Sequence, residues 1–411
     1  MGNINNKLTL KKYTNEASKS DIVLSYEDDA YNEFYDRISV IFRILSYLLF
    51  ASFLLYIVLS AFNNAADFSY ENFEYIIRNF ALTLEETRDD STYAIRYNPD
   101  ASRSYSLFGN GLIVCGSSGV SSYSSTGRLT CSESHSYKDP QMVSSNKFVL
   151  VYDQSGGDYS LYNSFSKIYS DNIDGVIRGA AVSDIGYYAL ITSSEEYNTT
   201  VELYDDTFSL IYRFNKVGYV IDIDLTNSNL MIATAVVSAE NVFDTEIQVF
   251  DYLVEEQTCS FSLEDNFPIS CVIESSCLTV IGNKYTAFYN INGDYISRYA
   301  YDIPPVDFSV NKGSIQLLFK EEGFDIEYRS VTLNEDGGLK YEWTISSTVF
   351  DAEVYGNWTY CLIEGYLLAT DGEHFYEIYV EGVNGNSKLL SFDEGIVYVC
   401  TDNASPLYFI P

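Results

Sequence analysis

A group of four strand-like runs that returns about every forty residues constrains this chain more than any other feature. One unit reads VIDIDLT, NLMIATAVV, TEIQVFDY and EQTCSFSL, with apolar and polar residues alternating in short stretches. The unit before it reads VIRGAAVSD, GYYALITSS, VELYDD and LIYRFN, and the unit after it reads PISCVIE, CLTVIG, KYTAFYN and DYISRYAY. An aromatic near the end of the third run marks the period at Tyr123, Tyr162, Tyr204, Phe250 and Tyr289, at intervals of 39, 42, 46 and 39 residues. Four strands at this spacing predict an all-β fold, a β-propeller. A β-sandwich would have fewer strands and no such period.

The pattern continues through SIQLLFKEE, EYRSVTL and LKYEWTI, then VFDAEVYG, NWTYCLIEG, YLLATDG and HFYEIYV. The last group, SKLLSF, GIVYVC and PLYFIP, has three strands. Its missing outer strand is available at the other end of the domain, in STYAIRYN (91–98), and pairing there would close the ring and remove its open edge. Residues 91–411 divided among eight four-stranded blades give about 40 each; seven blades of about 46 are the alternative. Glycine and asparagine at Thr126-Gly127, Asn292-Gly293 and Gly337-Gly338 supply the positive φ that tight turns between third and fourth strands need.

Ahead of the strands lies Ile44–Phe62, ILSYLLFASFLLYIVLSAF, a run of 19 residues without a charge. As a helix it would be about 28 Å long, close to the thickness of a bilayer core, and it is apolar on every side. A cleaved signal peptide fits less well, because the charged stretch before it is too long. Arg37 and Arg43 precede the run and no Lys or Arg follows until Arg78, which predicts a cytoplasmic amino end and an outward carboxyl domain. The expected map is a mostly disordered cytoplasmic tail (1–37), a transmembrane helix (38–62), a membrane-proximal helix or linker (63–90) and an extracytoplasmic propeller (91–411). The linker reading rests on Phe73, Ile76, Ile77, Phe80 and Leu84 at helical spacing. The chain is thus expected in the cell membrane as a single-pass protein.

The formal net charge is −34. Residues 63–411 hold 18 Lys and Arg against 51 Asp and Glu, a balance that repels nucleic acid and anionic lipid; it reads first as a solvated acidic surface, and could also attract cations or basic partners. The seven cysteines have no zinc-type spacing and mostly sit in apolar runs such as LIVC, WTYCLI and IVYVC, as small buried residues do. His135 and His374 are the two histidines, both beside turns, and no nucleophile elbow, phosphate loop, dinucleotide loop or calcium loop is present. No cofactor is expected, and catalysis is not the first reading.

Chemistry, if any, would come from the channel. The first strand of each blade lines the axis of a propeller, and those strands include IDID (221–224), VDFS (306–309) and FDAEV (350–354). Asp222 and Asp224, two apart, share a face, and Asp307, Asp351 and Glu353 would face the same channel from other blades. Converging carboxylates could hold a divalent cation such as calcium, or shift one another's pKa and act as an acid/base pair. The same residues also fit a wetted channel mouth or the caps of blade turns.

The chain resembles the membrane-anchored propeller proteins of Gram-positive bacteria that are grouped as a domain of unknown function. The resemblance is carried by the architecture and by runs such as GLIVCGSSGVSSYSSTGRL and YTAFYNINGDYISRY, the second also similar to a quinoprotein-type repeat with Asn292-Gly293 at its turn. It implies an eight-bladed fold. It brings no site residues and no quinone chemistry, since a docking tryptophan recurs in most quinoprotein blades and this chain has only Trp343 and Trp358. The expected function is a membrane-tethered scaffold that binds a protein or cell-wall partner. The alternatives are an extracytoplasmic hydrolase or lyase using the channel carboxylates, and an accessory subunit of an envelope assembly or secretion complex.

Overall fold

The computed structural model describes residues 38–54 and 94–410, apart from short stretches at 98–102, 109–110, 125–126, 164–165, 194–196, 238–241, 275, 322 and 324. The chain divides into two units, 1–69 and 70–411. In the first, residues 38–54 form an α-helix with Leu45, Leu48, Leu49 and Phe50 more than half exposed. At 17 residues this helix is about 25 Å long, and among the described residues no helix is long and apolar enough to cross a membrane. The rest of the expected span (55–62), the tail (1–37) and the expected linker helix lie outside the described residues.

The second unit is a ring of eight four-stranded antiparallel sheets, which settles the count between seven and eight blades. Blades 1 to 7 cover residues 103–134, 140–172, 177–216, 219–263, 268–300, 307–345 and 349–379, each with its strands in chain order. Blade 8 takes Lys388–Asp393, Ile396–Cys400 and Ala404–Phe409 from the carboxyl end and Ala94–Arg96 from the amino end as its fourth strand. Ile95 pairs with Ser405 and is fully buried. Tyr97 and Tyr105 both donate hydrogen bonds to the Thr401 carbonyl (2.8 and 3.0 Å), and the Arg103 guanidinium donates to the Asp402 carbonyl while lying over the Tyr97 ring. The closing strand is short, and these side chains extend its grip.

Packing explains the period. Each of the eight apolar clusters joins two neighbouring blades. Ile113 and Cys115 of blade 1 meet Val149 and Val151 of blade 2, while Leu112 and Val114 face Ile95, Tyr398 and Cys400 of blade 8. Second strands such as Gly111–Gly116 and Cys277–Gly282 are therefore buried on both faces and read as continuous apolar runs. Five of the seven cysteines are buried in this packing.

The marker aromatics have a structural cause. At Tyr123, Tyr162, Tyr204, Phe250 and Tyr289 the pairing of third and fourth strands slips, so each sits at a β-bulge. The turn beyond repeats as well. Ser124, Asp205, Asn290 and Asn334 each open a turn in which the residue three positions later donates its N–H back to them and takes a left-handed conformation. Three of those residues are the expected Gly127, Gly293 and Gly337; the fourth is Phe208, with φ 66°, which stacks on Tyr169 of the previous blade at 4.3 Å. Gly293 has φ 85°, and a Cβ there would lie 2.7 Å from Cys259 Cβ of blade 4. Gly293→Ala should therefore destabilise the propeller by roughly 2–4 kcal/mol in urea unfolding. A loss below about 0.5 kcal/mol would show that this turn does not fix the spacing of blades 4 and 5.

Candidate functional site: the carboxylates of the first strands

The first strands form the inner edges of the sheets and follow one another round the ring, with that of blade 8 meeting that of blade 1. Neighbouring first strands belong to different sheets and share no backbone ladder. The five expected site residues all lie on these strands, and they bridge the gap.

In blade 4, Asp222 accepts hydrogen bonds from the Ser270 hydroxyl (2.7 Å) and the Cys271 N–H (2.9 Å) of blade 5. Asp224 accepts the Ile273 N–H at 2.6 Å. The second oxygen of each takes the N–H of the residue that follows it. The shared face read from their spacing is the one turned toward blade 5. The ladder to the second strand slips between Val220 and Asp222, just ahead of the pair.

Blade 6 repeats the device toward blade 7, where Asp307 accepts the Ala352 N–H (3.1 Å) and the Ser309 hydroxyl oxygen accepts the Val354 N–H (3.2 Å). Blade 7 repeats it toward blade 8. Asp351 accepts the Leu389 N–H (2.6 Å) and pairs with the Lys388 ammonium (2.5 Å). Glu353 accepts the hydroxyls of Ser309 (2.8 Å) and Ser391 (3.3 Å), so it touches both neighbouring blades.

The five carboxylates form two groups. Asp222 and Asp224 sit at the joint of blades 4 and 5; Asp307, Asp351 and Glu353 sit with Lys388 across blades 6 to 8. Among the described residues no group of three or more His, Cys, Asp or Glu side chains is arranged to hold a metal ion. Asp222, Asp224, Asp307 and Asp351 already use both oxygens on hydrogen-bond donors.

Their electrostatics follow from withdrawal from water. Desolvation raises the Asp224 carboxyl to about 6, against the pull of the Ile273 N–H. It raises Asp351 to about 6 despite the nearby Lys388 ammonium, and Glu353 to about 8, where the Asp351 charge adds to the effect. Ser270, Ser309, Lys388 and Ser391 complete the arrangement and were not singled out in the sequence. Their signal is spacing: Lys388 follows Asp351, and Ser391 follows Glu353, by about one blade.

The histidines stand apart from these groups. His135 stacks on Tyr137 at 4.4 Å, with its Nε2 3.8 Å from the Cys115 thiol, beside a polar cleft of about 430 Å³ between blades 1 and 2. His374 pairs with Asp371 at 3.0 Å in the outer turn of blade 7, and the contact lowers the Asp371 carboxyl to about 2.

Glu353 gives a pH dependence with a definite sign. Its folded-state pKa of about 8 exceeds the ordinary 4.5, so between those values the folded protein holds a proton that the unfolded chain releases. Stability should fall as pH rises from about 5 to 8, with Asp224 and Asp351 acting in the same direction over the lower part. Glu353→Gln should flatten this slope and raise the urea midpoint at pH 8. A variant whose midpoint tracks the parent protein at every pH would refute the assignment. Asp224→Ala should cost about 1–3 kcal/mol by leaving the Ile273 N–H without its acceptor, a loss readable in the same titration.

Comparison with known proteins places this ring. It is similar to BamB from Moraxella catarrhalis (11% identity, TM-score 0.54, covering 77% of this chain and 96% of that one). It is similar to the computationally designed protein Ika8 (10%, 0.56, 78% and 100%) and to Sqt1 from Saccharomyces cerevisiae (11%, 0.54, 79% and 99%). At these identities the likeness concerns the fold alone. No curated protein matches the chain in sequence. A family model does match, over residues 85–368, which takes in the closing strand and most of the ring, and the chain belongs to that family, DUF5711, a family of unknown function.

Proposed function

We propose that the protein is a membrane-tethered binding module. Its amino-terminal segment anchors it with the propeller outside the cell, and the propeller holds a protein or envelope partner. The observation that carries the binding part is the exposure of large apolar side chains at both ends of the ring. Val217 (81% exposed) and Tyr219 (54%) stand on the link between blades 3 and 4, beside Val237 and Phe243, which pair in the long second hairpin of blade 4. Leu339 and Phe375 stand at the opposite end, on outer turns. Exposed apolar area gathered at turns is what a partner covers. The channel carboxylates meanwhile serve to join blades, which favours binding over catalysis. The uncharged run Ile44–Phe62 and the exposed apolar surface of helix 38–54 support the tether.

The tether predicts that the full chain stays with the membrane fraction after an alkaline carbonate wash, and that Leu48→Arg with Phe53→Arg releases it. Recovery of the parent protein in the soluble fraction would remove the tether from this reading. Photo-crosslinking from Tyr219 and Phe375 in native membranes tests the binding part. An adduct dependent on either position supports it; exposure of both positions to solvent with no adduct counts against it.

A further inference from the structure

The two ends of the ring differ. One end carries the turns between first and second strands and the outer turns between third and fourth strands. The other carries the links between blades. On the turn-bearing end an exposed apolar side chain recurs at one structural position, the first residue of the fourth strand. Leu129, Leu210, Tyr295, Leu339 and Phe375 occupy it in blades 1, 3, 5, 6 and 7, between 43% and 58% exposed. Val254 in the outer turn of blade 4 and Phe409 at the end of the third strand of blade 8 extend the series, at 62% and 59%. Two blades have a charge at that position, Lys167 in blade 2 and Glu256 in blade 4.

The same turns carry charge of one sign. In blades 3 to 7 the outer turns (205–209, 251–256, 290–294, 334–338 and 371–374) hold ten Asp and Glu and no Lys or Arg. Between blades 5 and 6 this end opens into a groove of about 610 Å³ lined by Glu274, Glu335 and Asp336, with Lys312 and Asn334. Glu335 and Asp336 are exposed, and Glu274 accepts the Gly313 N–H at its edge.

We propose that the turn-bearing end of blades 3 to 7 docks a basic amphipathic segment of a partner protein. The apolar side chains at the fourth-strand positions cover its apolar stripe, and the outer-turn carboxylates receive its Lys and Arg. The groove beside Glu335 and Asp336 takes one cationic side chain. Alternation of acid and apolar groups around a rim fits a partner that alternates base and apolar groups, and it disfavours anionic lipid and nucleic acid. The inference rests on the reading of the propeller as a binding module and adds which end binds and what chemistry it accepts.

The test uses the full chain in nanodiscs of neutral lipid, with empty discs as blank, and a fluorescein-labelled amphipathic peptide of Lys and Leu. The expected result is saturable binding that weakens at least tenfold with Glu335→Lys plus Asp336→Lys, and at least tenfold with Tyr295→Ser, Leu339→Ser and Phe375→Ser together. Raised salt should weaken it as well. The urea midpoint of each variant confirms that it folds. No binding of this peptide overturns the proposal. So does equal binding of a Glu and Leu peptide of the same pattern, or an equal loss with Val217→Ser plus Tyr219→Ser at the other end. A native crosslink that forms from Tyr219 alone would leave the binding-module reading in place and overturn this one.

Discussion

Every blade of this ring has two apolar faces and can cover them only with its neighbours. That requirement governs the rest of the structure. A second strand such as Gly111–Gly116 is buried along its whole length because Leu112 and Val114 serve one interface while Ile113 and Cys115 serve the other. An array with two ends would leave an apolar sheet face open at each. Closing the array removes both faces, and borrowing Ala94–Arg96 for blade 8 makes the closure a backbone ladder as well as an apolar contact.

Apolar packing holds neighbouring sheets together but fixes their relative height poorly, since no backbone hydrogen bond crosses between first strands. The carboxylates at three of the joints meet that need. Each of the four aspartates accepts a defined N–H from the next blade, and Glu353 a hydroxyl, so a slide of one sheet along another would strand a donor in a site poor in water. Burial raises the pKa of these acids, and their N–H and hydroxyl partners offset part of the cost. Lys388 lets Asp351 keep its charge, whereas Glu353, with only hydroxyls and neighbouring acids, is the member that burial affects most.

Much of the fold is legible in the sequence. The blade period, closing strand and outer turns follow from the marker aromatics, from the three-strand final group and from Gly127, Gly293 and Gly337, while the choice of eight blades over seven comes from the ring itself. Each of these depends on local backbone geometry: a bulge, an edge, a positive φ. Phe208 escapes the same logic because its ring stacks on Tyr169 and holds a conformation that sequence statistics assign to glycine. The carboxylates are legible as residues of the first strands and not as joints. Their cross-blade partners lie 37 to 49 residues away, and half of them are backbone N–H groups, which leave no mark in a sequence. The acid and apolar rim is hidden for a related reason, because its members come together only when five blades are set side by side.

The borrowed strand also sets a schedule. Ala94–Arg96 is made about 300 residues before the partner it needs, Ala404–Phe409. At ~5–20 residues per second the interval is roughly 15–60 s, during which the Leu112 and Val114 face of blade 1 has nothing to rest against. The ring can assemble its interior joints in order while the chain grows, but the last two faces must wait, exposed, until the strands of blade 8 have been made.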